Sequence, residues 1–231
     1  MAVQLYEKNQ KSFIKALPET IDAPLQKINE CFGNNHAVTE ELLNFVGEWL
    51  EIYLINNPNR YLHSISTAQT AEEIAGIIGY INPLKAHMAG MIHDIGKTTA
   101  KKITKKASEE KMQKLSKKLK EQGIEFLDSE IIFYESKKER TKFLHAPIGK
   151  LMAEKKLGIK DSEILNAIRF HTIGINLNGL DTLSKIIIIA DKIEPLKRGN
   201  SIYNEIMDIL RVTKNPDIAL NALRNRLQQA A

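Results

Sequence analysis

The sequence has one cysteine, Cys31, among 231 residues, so no intrachain disulfide can form. A reduced, cytoplasmic setting is the expectation. Long hydrophobic runs are missing as well. The longest, Ile186 to Ala190, is far too short to span a bilayer. The polar stretch Met1 to Lys15 lacks the apolar region of a secretory signal. A soluble protein with no membrane partner is therefore expected. Aromatic residues are scarce, at 6%. Leu, Ile, Ala, Lys and Glu dominate instead, which favours helices over sheets.

What is present points to an ordinary folded domain. The chain is 43% hydrophobic and 26% charged, enough to bury a real core. The net charge is +5, and lysines crowd the stretch from Lys97 to Lys120. An anion-binding or nucleic-acid surface is one reading of that stretch. A solvated helix face is the preferred one, and nucleic acid is not expected as a partner.

Asn57, Pro58 and Asn59 divide the chain. Residues 1–56 read as a helical accessory segment, 57–213 as the main domain and 214–231 as a tail helix. Val38 to Ile55 reads as one helix, capped by Thr39, with Leu42, Leu43, Val46, Leu50 and Leu54 at helical spacing. Phe45, Trp49 and Tyr53 share that helix as a packing stripe. A helix from Arg60 to Gly79 would bury Ala68, Ala71, Ala75 and Ile78. The next opens at Asn82-Pro83 and stops at Gly96. A lysine-rich helix spans Ser108 to Gln122. Others start at Pro147, at Asp161 or Ser162, at Asp181 or Thr182, and after Pro216. The only strand pattern, a weak one, covers Glu130 to Tyr134. The expected fold class is all-α.

Six histidines occur, and four sit at helix ends or beside helix punctuation. The sharpest local signal is Met91-Ile92-His93-Asp94-Ile95-Gly96-Lys97, an adjacent imidazole and carboxylate at the end of an apolar helix. His63 lies on the preceding helix, and His171 ends a helix whose Ile164 and Ile168 share its face. Asp191 follows Ile186-Ile187-Ile188-Ile189-Ala190, so its carboxylate must be paired with a cation or bound to a metal. Imidazole and carboxylate together suit iron, manganese, cobalt or zinc. His63, His93, Asp94 and Asp191 would hold one ion. His145 and His171 would hold a second, with Asp94 bridging. If His145 only opens its helix, the site is mononuclear. His87 is six positions from His93 and off its face, so it reads as packing. His36 reads as a solvated loop residue. Glu194 could orient a ligand histidine, but a local salt bridge with Lys197 or Arg198 is preferred.

His63, then His93-Asp94, then Asp191 in this order resembles the HD superfamily of phosphohydrolases. Five segments narrow the resemblance: Arg60-Tyr61-Leu62-His63-Ser64, His93-Asp94-Ile95-Gly96-Lys97, Leu144-His145-Ala146-Pro147-Ile148-Gly149, Ile168-Arg169-Phe170-His171-Thr172-Ile173-Gly174 and Ile189-Ala190-Asp191-Lys192-Ile193-Glu194-Pro195. Together they are similar to the YqeK family of bacterial symmetrical dinucleoside tetraphosphatases, over roughly residues 57–211. The resemblance implies an HD-domain helical bundle with a helical N-terminal extension. It implies two divalent metal ions, iron before manganese, cobalt or zinc, on His63, His93, Asp94, His145, His171 and Asp191. It also implies hydrolysis of diadenosine tetraphosphate to two ADP by a metal-activated hydroxide. Asp94 and Lys97 are the expected catalytic residues. Arg60, Lys97, Thr172, Gly174, Lys197 and Arg198 are the expected substrate contacts. The run Glu194-Pro195-Leu196-Lys197-Arg198-Gly199 departs from the family, which places an arginine and an aromatic there, so either Lys197 or Arg198 would stand in. Residues 1–56 faintly resemble the C-terminal tail of a nicotinate-nucleotide adenylyltransferase, which suggests a functional link to that activity. A homodimer is compatible with the sequence. Two rivals stand beside this reading: an HD-type nucleotidase or deoxynucleotide phosphohydrolase, and a non-catalytic nucleotide- or RNA-associated sensing module.

Overall fold

The computed structural model describes residues 22–33, 38–104, 112–121, 123–126, 128, 130–131, 143–172, 179–198 and 200–229. These residues form helices, turns and loops, and none of them is in a strand. The helices are α1 (Asp22–Gly33), α2 (Glu40–Tyr53), α3 (Pro58–Ile78), α4 (Pro83–Ile92), α5 (Lys97–Thr104), α6 (Met112–Lys120), α7 (His145–Lys156), α8 (Ser162–Phe170), α9 (Thr182–Ile193), α10 (Pro195–Arg198), α11 (Asn200–Thr213) and α12 (Pro216–Gln229). None of the helices described is long and apolar enough to cross a membrane.

Local chemistry sets most of these boundaries. The Thr39 side chain accepts a hydrogen bond from Leu42 N, as an N-cap should. Asn82, Asp161 and Asp181 do the same for α4, α8 and α9. Pro58 and Pro83 occupy first-turn positions, where a missing N–H costs nothing. Gly79 ends α3 with φ of 71°, a left-handed conformation that only glycine adopts without strain.

Helices α3 and α4 pack together most extensively. A Cβ on Gly90 would lie 2.6 Å from the Ala68 Cα, so the two backbones touch directly and no larger residue fits. Helix α9 lies across this pair and also contacts α8 and α12. Its Ile186, Ile187, Ile188 and Ile189 are all fully buried, each contributing about 1.5–3 kcal/mol. A helix held that firmly leaves its last turn, with Asp191, little freedom. Helix α2 packs on α4 and buries Leu42, Val46, Trp49 and Leu50. Helix α12 packs on α9 and α11 and buries Ala219, Leu220 and Leu223.

The chain departs from the sequence expectations in places. Helix α4 stops at Ile92, short of Gly96. The backbone tightens there, with Ile95 N bonded to Ile92 O and Lys97 N to Asp94 O, and then re-enters a helix as α5. The reason is tertiary: a Cβ on Gly96 would sit 2.0 Å from the His145 carbonyl oxygen and 2.5 Å from Gly149 N. The turn presses against α7 and cannot continue straight. Of the lysine-rich helix, Met112–Lys120 is helical, and 105–111 and Gln122 lie outside the described residues. Glu130 and Ile131 are helical where a weak strand is expected, and Glu130 is fully buried and paired with Arg169. The rest of that pattern, 132–134, lies outside the described residues, as does His36.

Candidate metal centre

Five elements deliver six side chains to one point. Helix α3 supplies His63. The turn after α4 supplies His93 and Asp94. Helix α7 opens with His145, His171 follows the end of α8, and α9 carries Asp191. The close approaches of Gly90 to α3 and Gly96 to α7 let these elements converge.

Asp94 is the hub, and its two oxygens face different partners. Oδ2 lies 3.6 Å from His63 Nε2 and 3.5 Å from His93 Nε2. Oδ1 lies 3.0 Å from His145 Nε2 and 3.4 Å from His171 Nε2. Asp191 Oδ1 joins the first group, 3.2 Å from His63 Nε2 and 3.7 Å from His93 Nε2. The ligating atoms of His63, His93 and Asp94 lie within 4.8 Å of one another, and those of Asp94, His145 and His171 likewise. The structure therefore brings all six residues together, split four and three about a shared carboxylate.

The ring nitrogens turned away from this point are anchored. His93 Nδ1 lies 2.7 Å from Gly90 O, and His171 Nδ1 lies 2.7 Å from Ile168 O. His63 Nδ1 lies 3.0 Å from Glu194 Oε1. The expected local pairing of Glu194 with Lys197 is thus replaced by a tertiary one. Lys197 Nζ instead reaches Asp191 Oδ1 at 2.9 Å.

Three ammonium groups reach the two carboxylates. Lys97 bonds Asp94, while Lys192 and Lys197 bond Asp191. Lys192 has no place among the sequence candidates. Its one signal was adjacency to Asp191, and a lysine beside a buried acid at a helix end reads equally well as solvated. Arg60 donates to Thr98 Oγ1 at 3.0 Å, one turn before His63 and beside Lys97. Thr172 Oγ1 is buried with no hydrogen bond. Gly174 and the Arg198 side chain lie outside the described residues. His87 pairs with Glu72 at 2.6 Å, away from the cluster.

Electrostatics follow from this packing. Burial opposes ionisation of Asp94, but the neighbouring His93, His145 and His171 imidazoles and the Lys97 ammonium hold it well below the usual carboxylate range. Burial likewise opposes ionisation of Asp191, and Lys192, His63 and His93 override it. Burial pushes His171 down to about 3. Burial would lower His63 too, yet the carboxylates of Asp191 and Glu194 beside it raise it above the ordinary imidazole value.

The donor set fits divalent transition metals: imidazole nitrogens and carboxylate oxygens, with no thiolate. Three atoms carry that assignment. His63 Nε2, His93 Nε2 and Asp94 Oδ1 are buried and make no properly directed hydrogen bond. Buried polar atoms left so in a folded protein call for a partner, and these lie together.

Comparison with known proteins identifies relatives of the chain. A symmetrical bis(5'-nucleosyl)-tetraphosphatase of Halalkalibacterium halodurans is 34% identical over 137 residues, covering 59% of this chain and 62% of that protein. A protein of the same name from Bacillus subtilis is 32% identical over 59% of this chain and 62% of its own length. The chain thus matches about three fifths of the length of these curated relatives. A crystal structure of a predicted HD superfamily hydrolase involved in NAD metabolism, from Clostridium acetobutylicum, superposes with a TM-score of 0.55 at 29% identity, covering 79% of this chain and 87% of that one. The HD domain profile matches residues 60–196, which contain all six clustered residues, and the chain belongs to the HD-domain family.

Proposed function

We propose that this protein is a metal-dependent phosphohydrolase that cleaves diadenosine tetraphosphate symmetrically into two ADP. The observation that carries the reading is Asp94, whose two oxygens each face a separate histidine set. A carboxylate so placed suits two cations side by side, and the relatives named above support a dinucleoside polyphosphate as substrate. His63, His93, Asp94 and Asp191 would hold one cation, and Asp94, His145 and His171 the other. Iron is the expected metal, with manganese, cobalt or zinc as substitutes. Bound there, a pair of such cations supplies Lewis acidity for a phosphoryl group and lowers the pKa of a water.

The chain's own residues handle the polyphosphate. Lys97 and Lys197 are partly exposed, at 33% and 39% of their side chains, so each can turn from its carboxylate toward phosphoryl oxygens. Lys97 is the residue assigned to charge stabilisation during cleavage. Arg60, fixed by Thr98 beside Lys97, extends the same cationic rim. Burial of the imidazoles keeps water from competing for their Nε2 atoms. His171, pushed down to about 3, remains a neutral donor at any physiological pH.

Metal analysis of the purified protein, followed by product identification with diadenosine tetraphosphate, tests the proposal. ADP as sole product is expected. AMP with ATP would overturn symmetric cleavage. Turnover confined to mononucleotides would point to a nucleotidase. Tight binding without turnover would point to a sensing module.

A further inference from the structure

Glu194 is 1% exposed at the boundary between α9 and α10. A carboxylate at that depth is costly unless its oxygens are used, and both are. Oε1 lies 3.0 Å from His63 Nδ1, and Oε2 accepts from Leu196 N at 2.8 Å. The contrast with His93 and His171 is informative. Those two sit just past helix ends, and each leans on a carbonyl three residues upstream in its own helix. His63 lies inside α3, where the backbone carbonyls are committed to the helix itself. Its anchor must come from elsewhere in the fold, and it comes from a residue 131 positions away.

A carboxylate is also a different kind of anchor. It fixes the proton on Nδ1 and leaves Nε2 as the donor atom. It raises the basicity of that donor more than a neutral carbonyl can. His63 Nε2 faces Asp94 and Asp191, the half of the centre already richer in carboxylates. The same Glu194 ties that half to α10, because its second oxygen caps Leu196 N and its carbonyl accepts from Lys197 N.

We propose that Glu194 is a positioning residue that holds His63 Nε2 toward the metal and makes the His63–His93–Asp94–Asp191 half of the centre the tighter binding one. The inference rests on the dinuclear reading above. It predicts two cation-binding events of unequal strength, with Glu194 acting on the stronger.

Cobalt(II) added to metal-free protein, followed by visible absorption and competition with a chelator, reads this without any substrate. The wild type should bind two ions in distinct steps. In Glu194→Ala the tighter step should weaken by roughly 10–100-fold while the weaker step stays in place. Glu194→Gln should fall between, because an amide oxygen still accepts from His63 Nδ1 but carries no charge. It also serves as the folded control if the alanine variant fails to fold. Two wild-type steps unchanged in both variants would overturn the inference and leave the proposed function standing. So would equal weakening of both steps with no rescue by glutamine, since that marks a merely structural role. A wild type that binds no cobalt would overturn the dinuclear reading and this inference with it.

Discussion

The two halves of the metal centre share Asp94 and little else. The half around Asp94 Oδ2 adds a second carboxylate, Asp191, and a third, Glu194, behind His63. It is built on α3, α4 and α9, which pack against one another in the core. Lys192 and Lys197 come to it through Asp191. The half around Asp94 Oδ1 contains only His145 and His171, from α7 and α8. It has no carboxylate of its own among the described residues. One half is therefore dense in charge, and the other offers two buried imidazoles, of which burial pushes His171 down to about 3. Attraction for a divalent cation should differ accordingly, with the shared Asp94 carboxylate between the two halves.

Removing that link should have the largest effect. Asp94→Ala takes a ligand from both halves at once. Metal analysis should find neither ion at normal occupancy, and hydrolysis of diadenosine tetraphosphate should fall to roughly a thousandth or less. A variant that keeps one ion and substantial turnover would break the comparison, because the halves would then be independent sites.

His145→Ala sharpens it instead. The substitution touches only the imidazole half, so one ion should be lost and the other kept. Turnover should drop on the order of 100-fold, and excess metal should restore part of it. Equal loss of both ions would show that the halves load cooperatively. Lys97→Ala should leave metal content unchanged and lower kcat/KM by about 10–100-fold, the equivalent of one charge-assisted hydrogen bond of about 1.5–3 kcal/mol. Unaltered kinetics in that variant would remove Lys97 from the phosphate rim.

Much of this centre was legible because the residue types left few alternatives. An aspartate after four isoleucines has to meet a cation, and an imidazole beside an acid at an apolar helix end is costly for packing alone. What escaped was tertiary. Apolar periodicity runs through Ile95, so α4 looks longer than it is. The close pass of Gly96 against His145 and Gly149 that ends it involves a segment some fifty positions away, which no local pattern encodes. Glu194 was misassigned for the same reason. Lys197 and Arg198 are its neighbours in the chain, and His63, its partner, is not. Helices α1 and α11 were not singled out, although Asp22-Ala23-Pro24 and Gly199-Asn200-Ser201 punctuate their starts. Their faces are covered by tertiary partners, α2 for α1 and chiefly α12 and α3 for α11.

The smallest predicted effect concerns the junction between the N-terminal helices and the centre. Tyr53, at the end of α2, donates from its hydroxyl to Ile95 O at 3.0 Å. Its ring stacks on Trp49, centroids 4.9 Å apart, so the hydroxyl is aimed by a buried neighbour. Ile95 follows Asp94 directly, and the bond braces the turn on which both halves depend. Tyr53→Phe keeps the stack and removes only the hydroxyl. It should cost about 0.5–1.5 kcal/mol of stability, and cobalt titration should show both binding steps weakened by the same small factor. Equal weakening follows because the braced turn carries the shared ligand. A shift in one step alone would mean the turn serves one half, and the symmetry assigned to Asp94 would fail. Lower stability with both steps untouched would make α2 a packing partner with no part in arranging the centre.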